Sequence, residues 1–312
     1  MALSLLNILC IVLALVLGLK CHRFGIAILT RHVDRLSNLC LYALLVFMGI
    51  TIGQVPDFFD MLFEVGVTAL VLALATSTGV ALVLCGVFSL LAKSKRPQRQ
   101  QPSDKTIFMQ VLGFLKEPLI LMGLVSVGFI VAYTKFIPDI QYDLIVTLLL
   151  YLLIVTVGIK LSQSDIRLVH IVTHKVSVVV ALCTIAGSYL GAWAVSHVIE
   201  LNMAQTLAIS SGFGWYTLSG ILFAKLGYPV LGSVAFMTDL FREMLGLLLL
   251  PMLARFGMSK AGIGICGATA MDVSLPVIEK YGTRHDVTLG FISGTLITLV
   301  VPFLIPLLVS FQ

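Results

Sequence analysis

The chain has 312 residues, of which 59% are hydrophobic and 11% charged, and its mean hydropathy is +1.08. These values exclude a water-soluble domain, which could neither bury nor expose so much apolar surface. Apolar runs recur at about 20 residues, the length of a helix that crosses a hydrocarbon core about 30 Å thick. We therefore predict an all-α polytopic membrane protein rather than a barrel of short alternating strands.

Taken in chain order, the apolar runs predict about eight transmembrane helices. The first run has no preceding Lys or Arg and no small-residue cleavage site after it, so we expect it to stay as a membrane anchor. Two further apolar stretches, 203–225 and 261–281, are interrupted by Gly, Ser, Thr, Pro or Asp. The eight predicted spans are 3–19, 36–55, 65–92, 118–134, 144–161, 176–199, 228–254 and 286–310.

The positions of Lys and Arg predict the orientation, because short cytoplasmic loops are enriched in both. The segment KSKRPQRQQPSDK is the strongest such signal and should be a cytoplasmic linker that contacts anionic lipid rather than nucleic acid. If both interrupted stretches dip into the membrane and return, only Lys135 and Lys225 fall outside. We therefore predict two re-entrant segments, with both termini outside.

Internal repeats fit this topology. LYALLVFMGITIGQ (41–54) and LYLLIVTVGIKLSQ (150–163) align without gaps, and a second similarity at an offset of 55 pairs Gly212 with Gly267 and Pro251 with Pro306. Inverted repeats with interrupted helices are typical of secondary transporters. One transport domain is predicted, with first helices (1–92), linker (93–117), their repeat (118–199) and two inverted re-entrant-plus-helix units (200–312).

The first interrupted stretch, SSGFGWYTLSG, has the composition of a broken helix that lines a cavity. Irregular backbone at membrane depth is tolerated only where protein or a water-filled cavity satisfies it. A half-helix N-terminus presents N–H groups and a partial positive charge, which suits a substrate carboxylate. Close helix packing by small residues is the alternative for each hydroxyl. The candidate residues are Ser211, Gly212, Gly214, Trp215, Tyr216, Thr217 and Ser219.

Four ionisable residues lie in the apolar segments of the second half of the chain. Asp272 interrupts GICGATAMDVSLP, and a charge at membrane depth costs about 2.5 to 3.5 kcal/mol on insertion scales, so it should face a cavity. Asp239, Arg242 and Glu243 lie near the centre of the span that follows Tyr228. Asp239 and Arg242 are one turn apart and can pair structurally. Glu243 and Asp272 have no sequence-local partner, so they are the better candidates for function.

The remaining candidates are less specific. Asp57, near the outer end of the second span, suits either an outer vestibule or a solvated loop. The six cysteines are scattered without metal-ligand spacing, and we predict no metal and no cofactor. Two other classes of function also fit membrane acids: an inorganic cation/proton antiporter, and an intramembrane aspartyl protease that uses Asp239 and Asp272. The protease is disfavoured because Trp215, not Asp, follows the Gly-Phe-Gly run.

The runs SGFGWYTLSGILF, DLFRE and CGATAMDVSLPV closely resemble the bacterial lysine exporter family, and the resemblance covers essentially the whole chain. It implies a secondary transporter of the bacterial inner membrane that expels L-lysine and thialysine, and not an enzyme. By motif it implies essential acids at Glu243 and Asp272. A further family acid follows the F-M-G-I run, where this chain has Pro56 with Asp57 one residue later.

The resemblance and the acids together suggest a mechanism. Lysine carries net +1, and its export against an inside-negative potential costs about 2.3 kcal/mol per 100 mV, so proton entry is expected to drive it. We expect Glu243 and Asp272 to hold ammonium groups when ionised and to release lysine when protonated, while residues 211–217 hold the carboxylate. The predicted partners are thus L-lysine, protons and lipid; the sequence gives no oligomeric state.

Overall fold

The computed structural model describes residues 32–55, 58–91, 116–134, 143–163 and 174–311, together with a few positions between 10 and 20. The described residues form helices joined by short connections. In chain order these are α1 Val33–Gly53, α2 Phe58–Leu91, α3 Lys116–Tyr133, α4 Asp143–Gln163, α5 Lys175–Val195, α6 Met203–Ser210, α7 Tyr216–Lys225, α8 Pro229–Arg255, α9 Ser259–Cys266, a 3-10 turn Gly267–Met271, α10 Leu275–Tyr281 and α11 Arg284–Val309.

The prediction of an all-helical fold is confirmed for the described ranges. Within the part of the chain that the structure describes, four helices are long and apolar enough to cross a membrane: Val33–Gly53, Met61–Leu90, Lys175–Val195 and Arg284–Val309. Two shorter apolar helices, Ile120–Tyr133 and Leu144–Ile159, accompany them. The predicted first span, the linker and Asp57 lie largely or wholly outside the described residues.

Local signals in the sequence fix the helix ends on both sides of the two broken segments. Asn202 and Gln205 form a capping box at the start of α6, and Thr283 and Asp286 form another at the start of α11. Gly227 and Gly257, with φ of 91° and 77°, adopt the left-handed backbone that commonly ends a helix after α7 and α8. These caps satisfy terminal backbone groups that lipid cannot satisfy.

The helices pack as two bundles. The first bundle contains α1, α3 and α4, and the second contains α2 and α5 to α11. Close approaches within each bundle depend on glycine: Gly49 packs against the backbone of Gly128, and Gly79 against that of Gly187 and Gly191. Small residues of this kind let membrane helices gain van der Waals contact where no hydrophobic effect drives association.

The second half of the chain shows the same order of elements twice. An eight-residue helix, a break, a second short helix and a long helix make up α6 to α8, and the same order recurs in α9 to α11. The long helices have 27 and 26 residues and contain Pro251 and Pro306, which the sequence similarity pairs. In each case the break falls at the glycine-rich stretch that the sequence marked.

Candidate functional site

The two helix breaks meet each other at the centre of the second bundle. The backbone N–H of Ala268 donates to the carbonyl oxygen of Phe213 at 3.0 Å, which joins the break after α9 to the break after α6. Gly214 and Gly267 have φ of 91° and 63°, a backbone that L side chains rarely adopt. A Cβ at Gly267 would overlap the Phe213 carbonyl, so this crossing requires glycine.

Asp239 and Arg242 bind the two breaks from the middle of α8. Oδ1 of Asp239 accepts a hydrogen bond of 2.7 Å from the N–H of Gly214, just before α7. Arg242 donates from Nε to the Ile265 carbonyl at 3.0 Å and from Nη2 to the Gly264 carbonyl at 3.3 Å, which are carbonyls in the last turn of α9. The two side chains therefore satisfy opposite kinds of terminal group, N–H and C=O, on the two broken segments.

Arg242 also ties the crossing to a neighbouring helix. Its Nη1 donates to Ser188 Oγ of α5 at 2.8 Å, and that hydroxyl donates in turn to the Thr184 carbonyl. The arginine is 1% exposed, so its charge is held among these partners rather than in water. Asp239 and Arg242 thus have separate structural partners: Asp239 binds the first broken segment and Arg242 binds the second.

The small residues of the first break have distinct positions. A Cβ at Gly212 would overlap the carboxylate of Asp239, so glycine is needed for that carboxylate to reach the break. Ser211 donates to the Leu207 carbonyl and lies 2.9 Å from the Tyr189 hydroxyl. Ser219 is fully buried in α7. Neither these three residues nor Gly214 line the cavity described next.

A cavity of about 520 Å³ lies between the two bundles, beside the crossing. This volume is within the usual range for small-molecule sites, about 300 to 1,000 Å³. The first bundle contributes Asp34, Ser37, Asn38, Leu41, Tyr42, Ile120, Leu121, Leu153 and Val157. The second bundle contributes Trp215, Tyr216, Thr217, Glu243, Ala268, Thr269, Met271, Asp272, Val273, Phe291, Thr295, Thr298 and Leu299.

Of the residues predicted from the sequence, the cavity brings together Glu243, Asp272, Trp215, Tyr216 and Thr217. Glu243 is 0% exposed, whereas Asp272 is exposed. The two acids come from different elements, α8 and the second break, and line one cavity because the breaks cross beside α8. Asp239 is absent from this lining, so the two aspartates of the protease hypothesis do not share the cavity wall.

Sequence reasoning missed the polar face of α1. Asp34, Ser37 and Asn38 line the cavity together with Leu41 and Tyr42. Their spacing of i, i+3, i+4, i+7 and i+8 is that of one helix face, and this periodicity was the available signal. Asp34 was overlooked because it stands among basic residues before the apolar run, where an acid resembles part of a solvated loop.

The wall of the cavity combines opposite electrostatic features. Trp215 is the N-cap of α7, and Tyr216 and Thr217 are its first two residues, where N–H groups have no partner within the helix. This end of α7 carries a partial positive charge, while Glu243, Asp272 and Asp34 supply carboxylates in the same cavity. The arrangement can hold one anionic group and more than one cationic group.

The chain was compared with known proteins. A family model described as lysine exporter LysO matches residues 122–309. The lysine exporter LysO of Escherichia coli strain K12 is 33% identical over 276 residues, which cover 88% of this chain and 89% of that protein. A putative lysine exporter of Haemophilus influenzae is 35% identical over 159 residues, or 51% of this chain and 81% of that protein.

No solved structure matches this chain. The matched region includes both broken segments and the acids Asp239, Glu243 and Asp272. Since that match spans more than half of the chain and the Escherichia coli relative covers nearly all of it, this multi-pass membrane protein belongs to the LysO family of lysine exporters.

Proposed function

We propose that the protein exports L-lysine from the cytoplasm in exchange for protons, and that Glu243 and Asp272 bind either the cation or the proton. Moving a net charge of +1 out against an inside-negative potential costs about 2.3 kcal/mol per 100 mV, so a driving ion is required. A carboxylate that alternates between a proton and an ammonium group couples the two movements. Thialysine carries the same charged groups and follows the same route.

The observation that carries this proposal is the placement of the two acids. Glu243 is fully buried yet lines the cavity, and exposed Asp272 lines the same cavity from the second break. Membrane acids that face a cavity are expensive to keep and typically mark ion or proton pathways. Because both acids line one cavity, an ammonium group of the substrate can compete with protons at Glu243 and at Asp272.

The α-carboxylate of lysine binds at the N-terminus of α7. Trp215, Tyr216 and Thr217 line the cavity at the point where this helix presents its first N–H groups. Backbone N–H groups and the helix dipole there favour an anion. Ser211, Gly212 and Gly214 support this end by shaping the break, and Asp239 holds Gly214 in place.

Both broken segments re-enter the membrane and return to the side from which they came. Ser259, at the start of α9, donates a hydrogen bond of 3.1 Å to Asp286 in the first turn of α11, so the α9–α10 excursion begins and ends at one end of the bundle. In the first segment, Gly214 lies at Asp239 in the middle of α8 and Gly220 lies at Gly232 near its start, so α7 runs from the centre of the bundle back toward the start of α8. The two excursions enter from opposite sides, as inverted repeats require.

The cavity of this conformation opens toward the cytoplasm. Its exposed polar residues Asp34 and Asn38 lie at the start of α1, which the distribution of Lys and Arg assigns to the cytoplasmic side. At the opposite end the bundles touch: Gly220 packs on the Met48 side chain, and Lys225 Nζ lies 4.4 Å from the centre of the Tyr151 ring. Lysine therefore enters from inside, and export requires these outer contacts to part.

Labelled lysine flux in proteoliposomes with imposed pH and voltage gradients tests the proposal. We expect lysine to dissipate an imposed pH gradient and sodium or potassium to leave it intact. Glu243→Gln should lower lysine flux more than roughly 30-fold, because losing a buried charge partner costs about 2 to 5 kcal/mol. Asp272→Asn should lower the flux less, because an ion pair at an exposed acid contributes only about 1 kcal/mol.

Glu279→Gln is the matched control, since Glu279 is exposed on α10 and does not line the cavity. This variant should transport at the wild-type rate. If Glu243→Gln and Asp272→Asn insert normally and still export lysine at full rate, the proton-exchange role of these acids is wrong.

A further inference from the structure

One face of α1 lines the cavity with polar side chains, a feature that the family relationship does not explain. Asp34, Ser37, Asn38, Leu41 and Tyr42 all line the cavity and occupy about 12 Å along the helix axis, at 1.5 Å per residue. Asp34 and Asn38 are exposed, and Tyr42 is 42% exposed. A membrane helix turns such polar side chains toward an aqueous space rather than toward lipid.

This face lies on the opposite wall from the acids of the proposed mechanism. Asp34 belongs to the first bundle, whereas Glu243 and Asp272 belong to the second, and the cavity separates them. The first bundle also contributes the apolar side chains of Leu121, Leu153 and Val157 to the lining. The cavity therefore has acids on both bundles and apolar surface beside Asp34.

We propose that Asp34, assisted by Asn38, forms a second cation subsite that binds the side-chain ammonium group of lysine. This inference rests on the proposed function, in which the α-carboxylate lies at the N-terminus of α7. The adjacent α-ammonium is then near Glu243 and Asp272, and the side chain extends across the cavity toward α1. Its methylenes contact the apolar wall, and its ammonium reaches Asp34. Asp34 is thus the residue that selects a basic amino acid over a neutral one.

Asp34 also lies in the first turn of α1, where any carboxylate stabilises a helix through the dipole. That role affects folding and insertion, whereas substrate selection affects the Michaelis constant for one class of substrate. The two roles are separated by comparing lysine with norleucine, which has the same number of side-chain carbons and lacks the second ammonium group.

The test uses inside-out vesicles that contain the full-length protein, with labelled lysine as substrate and norleucine as competitor. Asp34→Asn should raise KM for lysine about two- to fivefold, the usual effect of losing one partly exposed ion pair, with kcat retained. Inhibition by norleucine should stay unchanged, so the preference for lysine over norleucine should fall by the same factor as the lysine KM rises. Asp34→Glu should restore most of the lysine KM.

Glu279→Gln removes one negative charge outside the cavity and should leave both constants unchanged. For any variant that inserts poorly, lysine binding to the purified protein in detergent, followed by Trp215 fluorescence, replaces the flux measurement. An unchanged lysine KM in Asp34→Asn overturns the inference, as does an equal weakening of lysine and norleucine, or an equal effect of Glu279→Gln.

The outcome for Asp34 is distinguishable from failure of the proposed function. If Glu243→Gln abolishes transport while Asp34→Asn leaves the lysine KM unchanged, only the second subsite is wrong. If Glu243→Gln and Asp272→Asn transport normally while Asp34→Asn raises the lysine KM, the proton-exchange mechanism is wrong and the subsite stands.

Discussion

Arg242 offers the sharpest test of how the crossing is held together. Replacing it with leucine removes the hydrogen bonds to Ser188, Gly264 and Ile265, whose donor–acceptor distances are 2.8, 3.3 and 3.0 Å. It also removes the positive charge one turn from buried Asp239. Breaking a buried charged network in this way typically costs about 3 to 5 kcal/mol.

This loss of stability should be visible in thermal unfolding. At about 2 to 4 °C per kcal/mol for a chain of roughly this size, Arg242→Leu should melt about 10 °C below the wild type. A thiol-reactive dye reports the transition, because Cys40 and Cys266 are buried and become reactive on unfolding. Arg242→Lys should recover only part of the difference, since one ammonium cannot match the planar guanidinium at three acceptors.

Arg255→Leu is the matched control, because Arg255 is exposed at the end of the same helix. It should change the melting temperature by less than about 2 °C, as most surface substitutions do. If Arg242→Leu melts as high as Arg255→Leu, Arg242 does not hold the crossing. If Arg242→Leu melts at the wild-type temperature yet abolishes lysine flux, Arg242 acts on the substrate instead.

Two further predictions use single positions. Gly212→Ala should lower the melting temperature, because the added methyl overlaps the Asp239 carboxylate. The methyl added by Gly123→Ala meets nothing within 4 Å, so this control should be neutral or slightly stabilising. Equal melting temperatures of the two variants would contradict the packing argument. The chain has two tryptophans, so Trp193→Phe leaves Trp215, in the cavity wall, as the remaining tryptophan, and lysine should change its fluorescence emission. If lysine changes the emission of the Trp215→Phe variant and not that of Trp193→Phe, the assignment of the cavity is wrong.

Prediction from the sequence worked well for the helices, and the reason is visible in particular segments. Runs such as 175–195 are both long and apolar, and no structure other than a helix satisfies their backbone in lipid. The breaks were also predictable, because Gly212, Gly214 and Gly267 interrupt apolar stretches where glycine has no use in a plain helix. The sequence also singled out Glu243 and Asp272, because charge at membrane depth is costly, and both line the cavity.

The same reasoning could not assign partners. Asp239 and Arg242 are one turn apart and suggest a pair, but each binds the backbone of a break that is distant in sequence. Ser211 and Ser219 are chemically similar to Thr217, and only Thr217 lines the cavity. Asp34 stands among basic residues in the sequence, and its position on the cavity wall follows from how α1 faces the second bundle.

The sequence by itself determined the helices, the breaks and the cost of the membrane acids, because each depends on local hydrophobicity and backbone chemistry. Only the tertiary structure decided that Phe213 meets Ala268, that Arg242 reaches Ser188, and that acids from two bundles share one cavity. Those contacts join residues far apart in the chain, and their geometry depends on the packing of entire helices, which local sequence does not encode.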